Sequence, residues 1–145
     1  MSKTSVLQVK GFESLLEKVK TAQGDIVSAT TKLANESVDI IYDDLKSSAA
    51  AAGVPKSVTD EIKKERATWQ GNICSAGVGW KLGSFDSNNP SQGYKAIFLN
   101  YGTPRRSRHG KIQGRFFITR AKKISKRKVK KAQEETVNKI IGELK

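Results

Sequence analysis

The sequence predicts an α+β domain, with a small antiparallel β-sheet packed against a long helix in the N-terminal half and a further helix at the C-terminus. Three observations predict it. Between Asp25 and Ala52, the residues Val27, Ala34, Val38, Ile41, Leu45, Ala49 and Ala52 fall on one helical stripe. From Asn72 the period changes to two: Cys74, Ala76, Val78, Trp80 and Leu82 alternate with Ile73, Ser75, Gly77, Gly79 and Lys81. Near the C-terminus a helical stripe returns in Val129, Ala132, Thr136, Ile140 and Leu144, widened by Val137 and Ile141. No repeat, heptad run or domain boundary interrupts this order, so residues 1–145 read as one domain.

Each element has its own signals. Ser5 to Lys10 reads as a short extended segment ending at Gly11, after which Phe12, Leu15, Leu16 and Val19 recur at helical spacing. Gly24 can close that helix and Asp25 can cap the next. Gly53 followed by Pro55 is a stop signal for the long helix. Ala49 to Ala52 lacks bulk, and reads either as a thin helix end or as a place for close approach. Ser57 to Thr68 is charged, with a short helical spacing in Val58, Ile62 and Glu65. The alternating stretch that follows makes one strand or two, with Gly77 and Gly79 marking a bend, bulge or turn. Cys74 on its apolar face reads as a small buried hydrophobe. Residues 83–93 have loop composition and are expected to be flexible. Tyr94 to Tyr101 fits a helix face by spacing and a strand by composition. Gly102-Thr103-Pro104 ends it either way, and 103–114 forms a second flexible loop, strongly basic. Arg115-Phe116-Phe117-Ile118 is a strand end or the opening of the last helix, which starts near Thr119 or Ser125.

Charge and composition exclude several classes. The 145 residues carry 27 Lys and Arg against 14 Asp and Glu, a net charge of +13. Thr103 to Lys145 holds 15 of the basic residues and 3 of the acidic ones, so nearly all the excess sits in the last third. No apolar run approaches the length of a membrane span, and none follows Met1 to Ser5 as a secretory leader requires. One cysteine, Cys74, makes an internal disulfide impossible. One histidine, His109, lies among Arg105, Arg106 and Arg108, a poor setting for a base that must stay neutral. No nucleotide-binding motif is present: Gly77 to Gly83 is glycine-rich but no helix pattern follows it. The expectation is a non-enzymatic protein without metal or cofactor.

The basic segment is the strongest functional signal. Arg105, Arg106, Arg108, Lys111, Arg115, Arg120, Lys122 and Lys123 surround Phe116 and Phe117. Long cations of this kind reach phosphate groups or acidic protein surfaces. Lys126, Arg127, Lys128, Lys130 and Lys131 then crowd the early part of the last helix, where the macrodipole is already positive. Either the helix begins well upstream or an external anion offsets the repulsion.

The order of motifs resembles the tail-component family of tailed bacteriophages, the small neck or tail-completion proteins encoded beside the head–tail joining genes. Val6 to Leu16 resembles the family's opening strand, glycine and amphipathic helix. Tyr94-Lys95-Ala96-Ile97-Phe98-Leu99-Asn100-Tyr101-Gly102-Thr103 is similar to its tyrosine-alanine segment closing in aromatic-Gly-Thr. Phe116-Phe117-Ile118-Thr119-Arg120-Ala121 is similar to its closing cluster before a C-terminal helix. Asn100 stands where the family commonly has a glutamate, and Val54 to Thr59 only partly matches the pattern after the long helix. The resemblance implies a structural virion protein, made in the bacterial cytoplasm. It would assemble as a ring, usually six-fold, between the head connector and the tail tube or its terminator. Double-stranded DNA would pass through and be held weakly and without sequence preference. In that setting Arg105, Arg106, Arg108, Lys111 and Arg115 become candidates for subunit or channel contacts, while Tyr94, Ala96, Tyr101, Gly102, Thr103, Phe116 and Phe117 are structural. The alternative expectation is a basic nucleic-acid-binding module.

Overall fold

The computed structural model describes residues 13–83, 85–103 and 110–143, with side chains from residue 20 onward. Six elements follow in order: α1 (Glu13–Ala51), α2 (Lys56–Thr59), β1 (Lys63–Gln70), β2 (Ile73–Gly79), α3 (Gln92–Tyr101) and α4 (Phe117–Glu143). The α+β architecture expected from the periodicities is present, with both long helices and one antiparallel hairpin. The extended segment expected at Ser5 to Lys10 lies outside the described residues, as do the side chains of Phe12, Leu15, Leu16, Val19 and Leu144.

Helix α1 is longer than the sequence suggested. It passes through Gly24 and Asp25 without a break. A Cβ at Gly24 would meet nothing within 4 Å, so this face is open. A single interior glycine costs about 1 kcal/mol, less than nucleating a second helix beside it. The buried stripe is confined to the C-terminal half. Val38, Leu45 and Ala49 are buried, whereas Val27 is exposed because the core lies at the other end of the helix. Gly53, at φ +67, follows the helix, and the Val54 N–H returns to the Ala49 carbonyl at 3.0 Å.

The segment expected to be a charged helix divides. Only Lys56–Thr59 is helical, and Lys63–Gln70 is a strand. Its pattern hid it: Lys63, Lys64, Glu65 and Arg66 are all exposed, and only Ala67 is half-buried, so no apolar alternation marks the strand. β1 pairs antiparallel with β2, from Lys63 opposite Gly79 to Gln70 opposite Ile73. Gly71, at φ +60, takes the first place of the two-residue turn with Asn72, where a type II′ turn favours glycine. The irregularity expected near Gly77 is real but lies in β1, where an extra residue intervenes between Glu65 and Thr68. It frees the Ala67 N–H, which donates to Asn35 Oδ1 of α1 at 2.9 Å. Trp69 Nε1 reaches Thr31 Oγ1 at 2.9 Å, so the hairpin is stitched along α1 largely by polar contacts. Cys74 is half-buried rather than buried, opposite Trp69.

The core gathers where the elements converge. Leu45, Ala49, Val54, Val58, Ile62, Ala96, Phe117 and Ala121 form one buried cluster. Ala49 and Ala96 are fully enclosed, so the alanine run is a place of close approach on at least one face. Trp80 packs edge-on to Phe117 at 6.2 Å and donates its indole N–H to the Val58 carbonyl. α3 is helical, which resolves the ambiguity of Tyr94 to Tyr101. α4 opens at Phe117 and runs antiparallel to α1. Asp44 meets Ser125, while Ala29 and Leu33 line a cleft with Thr136 and Ile140.

Candidate functional site

The root of the basic loop is rigidly built. The chain leaves α3 at Gly102, whose φ is +83. A Cβ there would lie 2.6 Å from the Ile112 carbonyl oxygen, so the two backbones approach more closely than any side chain permits. Gly114 closes the same approach, since a Cβ on it would sit 2.8 Å from the Tyr101 carbonyl. Thr103 then ties the loop's two arms. Its N–H donates to the Ile112 carbonyl, and its hydroxyl accepts the Ile112 N–H at 2.9 Å while donating to the Gly110 carbonyl. The Gly-Thr pair is thus the clasp of the loop. Arg105, Arg106, Arg108 and His109 lie outside the described residues; Lys111 is exposed and makes no ion pair among the described residues.

The clasp leads directly into α4. The Arg115 and Phe116 N–H groups donate to the Leu99 and Asn100 carbonyls, each at 2.9 Å. Asn100, fully buried, accepts the Ile118 N–H on Oδ1 at 2.8 Å. It therefore supplies from α3 an N-terminal cap that α4 lacks locally. Its Nδ2 has no hydrogen-bond partner. Where the resembling family commonly carries a glutamate, an amide here holds two helices together. Sequence reasoning missed this role, because Asn100 lies within α3, seventeen positions before α4, where no local capping pattern marks it.

Two of the residues read as structural face outward. Tyr101 is 64% exposed and Phe116 is 48% exposed, and both line an open concavity with Lys111, Gln113 and the clasp. Phe116 takes φ +50, the one non-glycine residue with positive φ among those described. For a bulky side chain that conformation costs about 1–2 kcal/mol. It turns consecutive phenylalanines to opposite sides, Phe116 to water and Phe117 into the core. Ala96 is fully buried, and Tyr94 is half-buried, stacking edge-on with Phe85 at 5.0 Å to anchor the 83–93 loop.

Arg115 ties the loop root to α1. Its guanidinium donates to the Ala52 and Gly53 carbonyls at 3.0 and 2.6 Å, and so caps the C-terminus of α1. These bonds engage it within the fold.

The basic stretch of α4 separates into two faces. Lys128 turns inward and pairs with Asp44 of α1, which also accepts the Ser125 hydroxyl at 3.0 Å. The anion that the sequence called for is, for this residue, intramolecular. Lys126, Arg127, Lys130 and Lys131 are exposed, with Lys122 and Lys123 one turn earlier. Lys130 and Lys131 make only surface pairs with Glu134 and Glu135, each at 3.8 Å. The helix begins more than one turn before this cluster, which lessens the macrodipole penalty.

Elsewhere, the Asp39 carboxylate receives Lys64 Nζ and Arg66 Nη1 from β1. Those hydrogen bonds hold its pKa below the usual carboxylate value. Lys64 and Lys46 both sit over the Tyr42 ring, at 4.4 and 4.8 Å. Among the described residues no His, Cys, Asp or Glu cluster could hold a metal ion, and no helix is long and apolar enough to cross a membrane.

No protein-family model, curated protein or solved structure matches the chain.

Proposed function

We propose that this chain is a structural protein of the neck of a tailed phage or prophage, forming a ring that completes the tail and joins it to the head connector. The observation that carries the reading is the loop root. Tyr101 and Phe116 are large aromatic groups held out to water beside a clasped basic loop, one of them on a strained backbone. Rigid, exposed aromatics flanked by cations are the composition of interface anchors rather than of an idle surface. Head-to-tail repetition of one such contact generates a closed ring. Two of the three motifs that carry the family resemblance also adjoin here: α3 with the clasp, and the start of α4.

The partners follow as proposals: further copies of the chain in the six-fold ring that the resemblance implies, the head connector, and the tail tube or its terminator. Single-particle imaging of the purified protein, alone and mixed with tail tubes, tests the reading. Rings, or density capping the tubes, are expected. A particle that stays monomeric and never joins tube or connector would overturn it. The alternative, a free nucleic-acid-binding module, predicts tight duplex binding at physiological salt and no assembly.

A further inference from the structure

We infer that the outward face of α4 is a binding surface for the phosphodiester backbone of duplex DNA. Two parallel rows of cations at i, i+4 spacing form it: Lys122, Lys126 and Lys130, beside Lys123, Arg127 and Lys131. All six are exposed. Four of them make no ion pair among the described residues, and the other two make only loose surface pairs. Helical geometry sets the spacing. Successive members of a row stand about 5–6 Å apart, and the array runs roughly 13 Å along the axis.

The partner must match a dense, straight row of charge. A DNA strand carries one phosphate per roughly 3.4 Å of axis, so about four phosphates face an array of this length. A second copy of the chain is a poor occupant, since each carries a net charge of +13. The rows contain no aromatic ring for stacking an unpaired base, and a straight row of long, flexible cations, five of them lysines, matches a line of phosphates rather than the edges of particular bases. The contact is therefore to backbone, independent of sequence, and to a duplex rather than a single strand. Lys128, on the opposite side, is held by Asp44 and does not take part. The assignment deepens the neck reading by naming the partner of its basic surface, and rests on that reading only for the biological setting.

Fluorescence anisotropy of the full-length protein with a labelled 30-base-pair duplex of arbitrary sequence tests it. Affinity should fall on the order of 100-fold between 50 and 200 mM NaCl, a log–log slope of about −4 for four phosphate contacts. Lys122→Gln, Lys123→Gln, Lys126→Gln, Arg127→Gln, Lys130→Gln and Lys131→Gln together should flatten that slope to near zero. Glutamine keeps good helix propensity, and circular dichroism checks that each variant is folded. Lys56→Gln, an exposed cation off α4, should change the slope by less than one. An unchanged slope in the α4 variant overturns the inference, as does a loss per removed charge from Lys56→Gln equal to that of the α4 variant, which would mean that net charge alone binds. Equal affinity for polyglutamate would also overturn it, and would favour an acidic protein partner. Imaging the same α4 variant with tail tubes separates the two readings. Lost DNA binding with intact assembly supports the inference, while lost assembly with intact DNA binding overturns it and leaves the neck reading standing.

Discussion

Replacing Asp44 with alanine should destabilise the protein by about 2–3 kcal/mol, and the structure says where that comes from. Asp44 is 8% exposed and joins α1 to α4 through two partners of different kind. The Ser125 hydroxyl, 3% exposed, donates to it at 3.0 Å. Lys128 also pairs with it, but the lysine side chain is 54% exposed. Removing the carboxylate strands a buried hydroxyl, at about 1–3 kcal/mol. Freeing Lys128 costs less, about 0–1 kcal/mol, because water solvates the released ammonium. The order of variants is then fixed. Asp44→Asn keeps an acceptor for Ser125 and should cost about 1 kcal/mol. Ser125→Ala removes the donor with the need it created, and Asp44→Ala should cost clearly less in its background than in the native one. Urea denaturation of the four proteins, with linear extrapolation, measures the cycle. The reasoning fails if Lys128→Ala costs more than Ser125→Ala, or if Asp44→Asn is as damaging as Asp44→Ala. Either result would make the ion pair the tie between the helices.

The loop root offers a steric test. Gly114→Ala should cost about 2 kcal/mol, the net worth of the two backbone hydrogen bonds from Arg115 and Phe116 that a Cβ would force apart, and the urea midpoint should fall accordingly. Gly110→Ala meets no atom within 4 Å and should cost only the roughly 1 kcal/mol of its φ of +78. Phe116→Asn should leave stability unchanged or raise it by up to about 1 kcal/mol, because asparagine tolerates the left-handed region. The same variant should reduce ring or tube-capping particles at least several-fold in electron micrographs; retained assembly would remove Phe116 from the interface. For Asp39, the lowered pKa gives stability that is complete above the ordinary carboxylate value near pH 4 and is lost as pH falls through the lower folded value. Asp39→Asn should therefore lower the melting temperature slightly at pH 7 and converge with the native protein below about pH 4, which flattens the acid limb of the thermal-unfolding profile.

What the sequence disclosed depended on whether an element had an apolar side. α1 and α4 were readable because Val38, Leu45 and Ala49, or Ala121 and Val129, repeat at helical spacing against a shared core. β2 was readable because apolar Cys74 and Val78, both half-buried, stand at even spacing along it. β1 was not, since it meets α1 through Arg66, the Ala67 amide and the Trp69 indole, and polar stitching leaves no period of two. Gly24 misled for a related reason: a helix terminus is decided by what covers it, and nothing does. At the site, the Gly-Thr clasp was visible as a motif but its mechanics were not. Arg115 looked like one more cation in a basic run, and only the fold brings the α1 C-terminus, more than sixty positions earlier, to its guanidinium.

That last point bears on how the positive charge should be read. Composition alone assigns every cation in the final third the same role, yet the fold sorts them by what their surroundings already supply. Arg115 meets the negative end of a helix, Lys128 meets a buried carboxylate, and Arg120 donates to the Arg115 carbonyl. Each of these stabilises the junction of α1, α3 and α4. Six of the cations left over lie in two rows along the outward face of α4, on a helix whose opposite face is fixed by Ser125 and Asp44. A long helix rich in lysine repels itself, and that repulsion is tolerable only while its other face is anchored. The inward latch and the outward rows are thus coupled: weakening Asp44 should loosen the array as a binding surface before it unfolds the domain. In Asp44→Asn, duplex affinity measured at low salt should fall by a few-fold, although the substitution removes a negative charge and frees Lys128, changes that on charge alone would raise it. An affinity equal to that of the native protein would show instead that the rows act as independent charges and need no rigid mount.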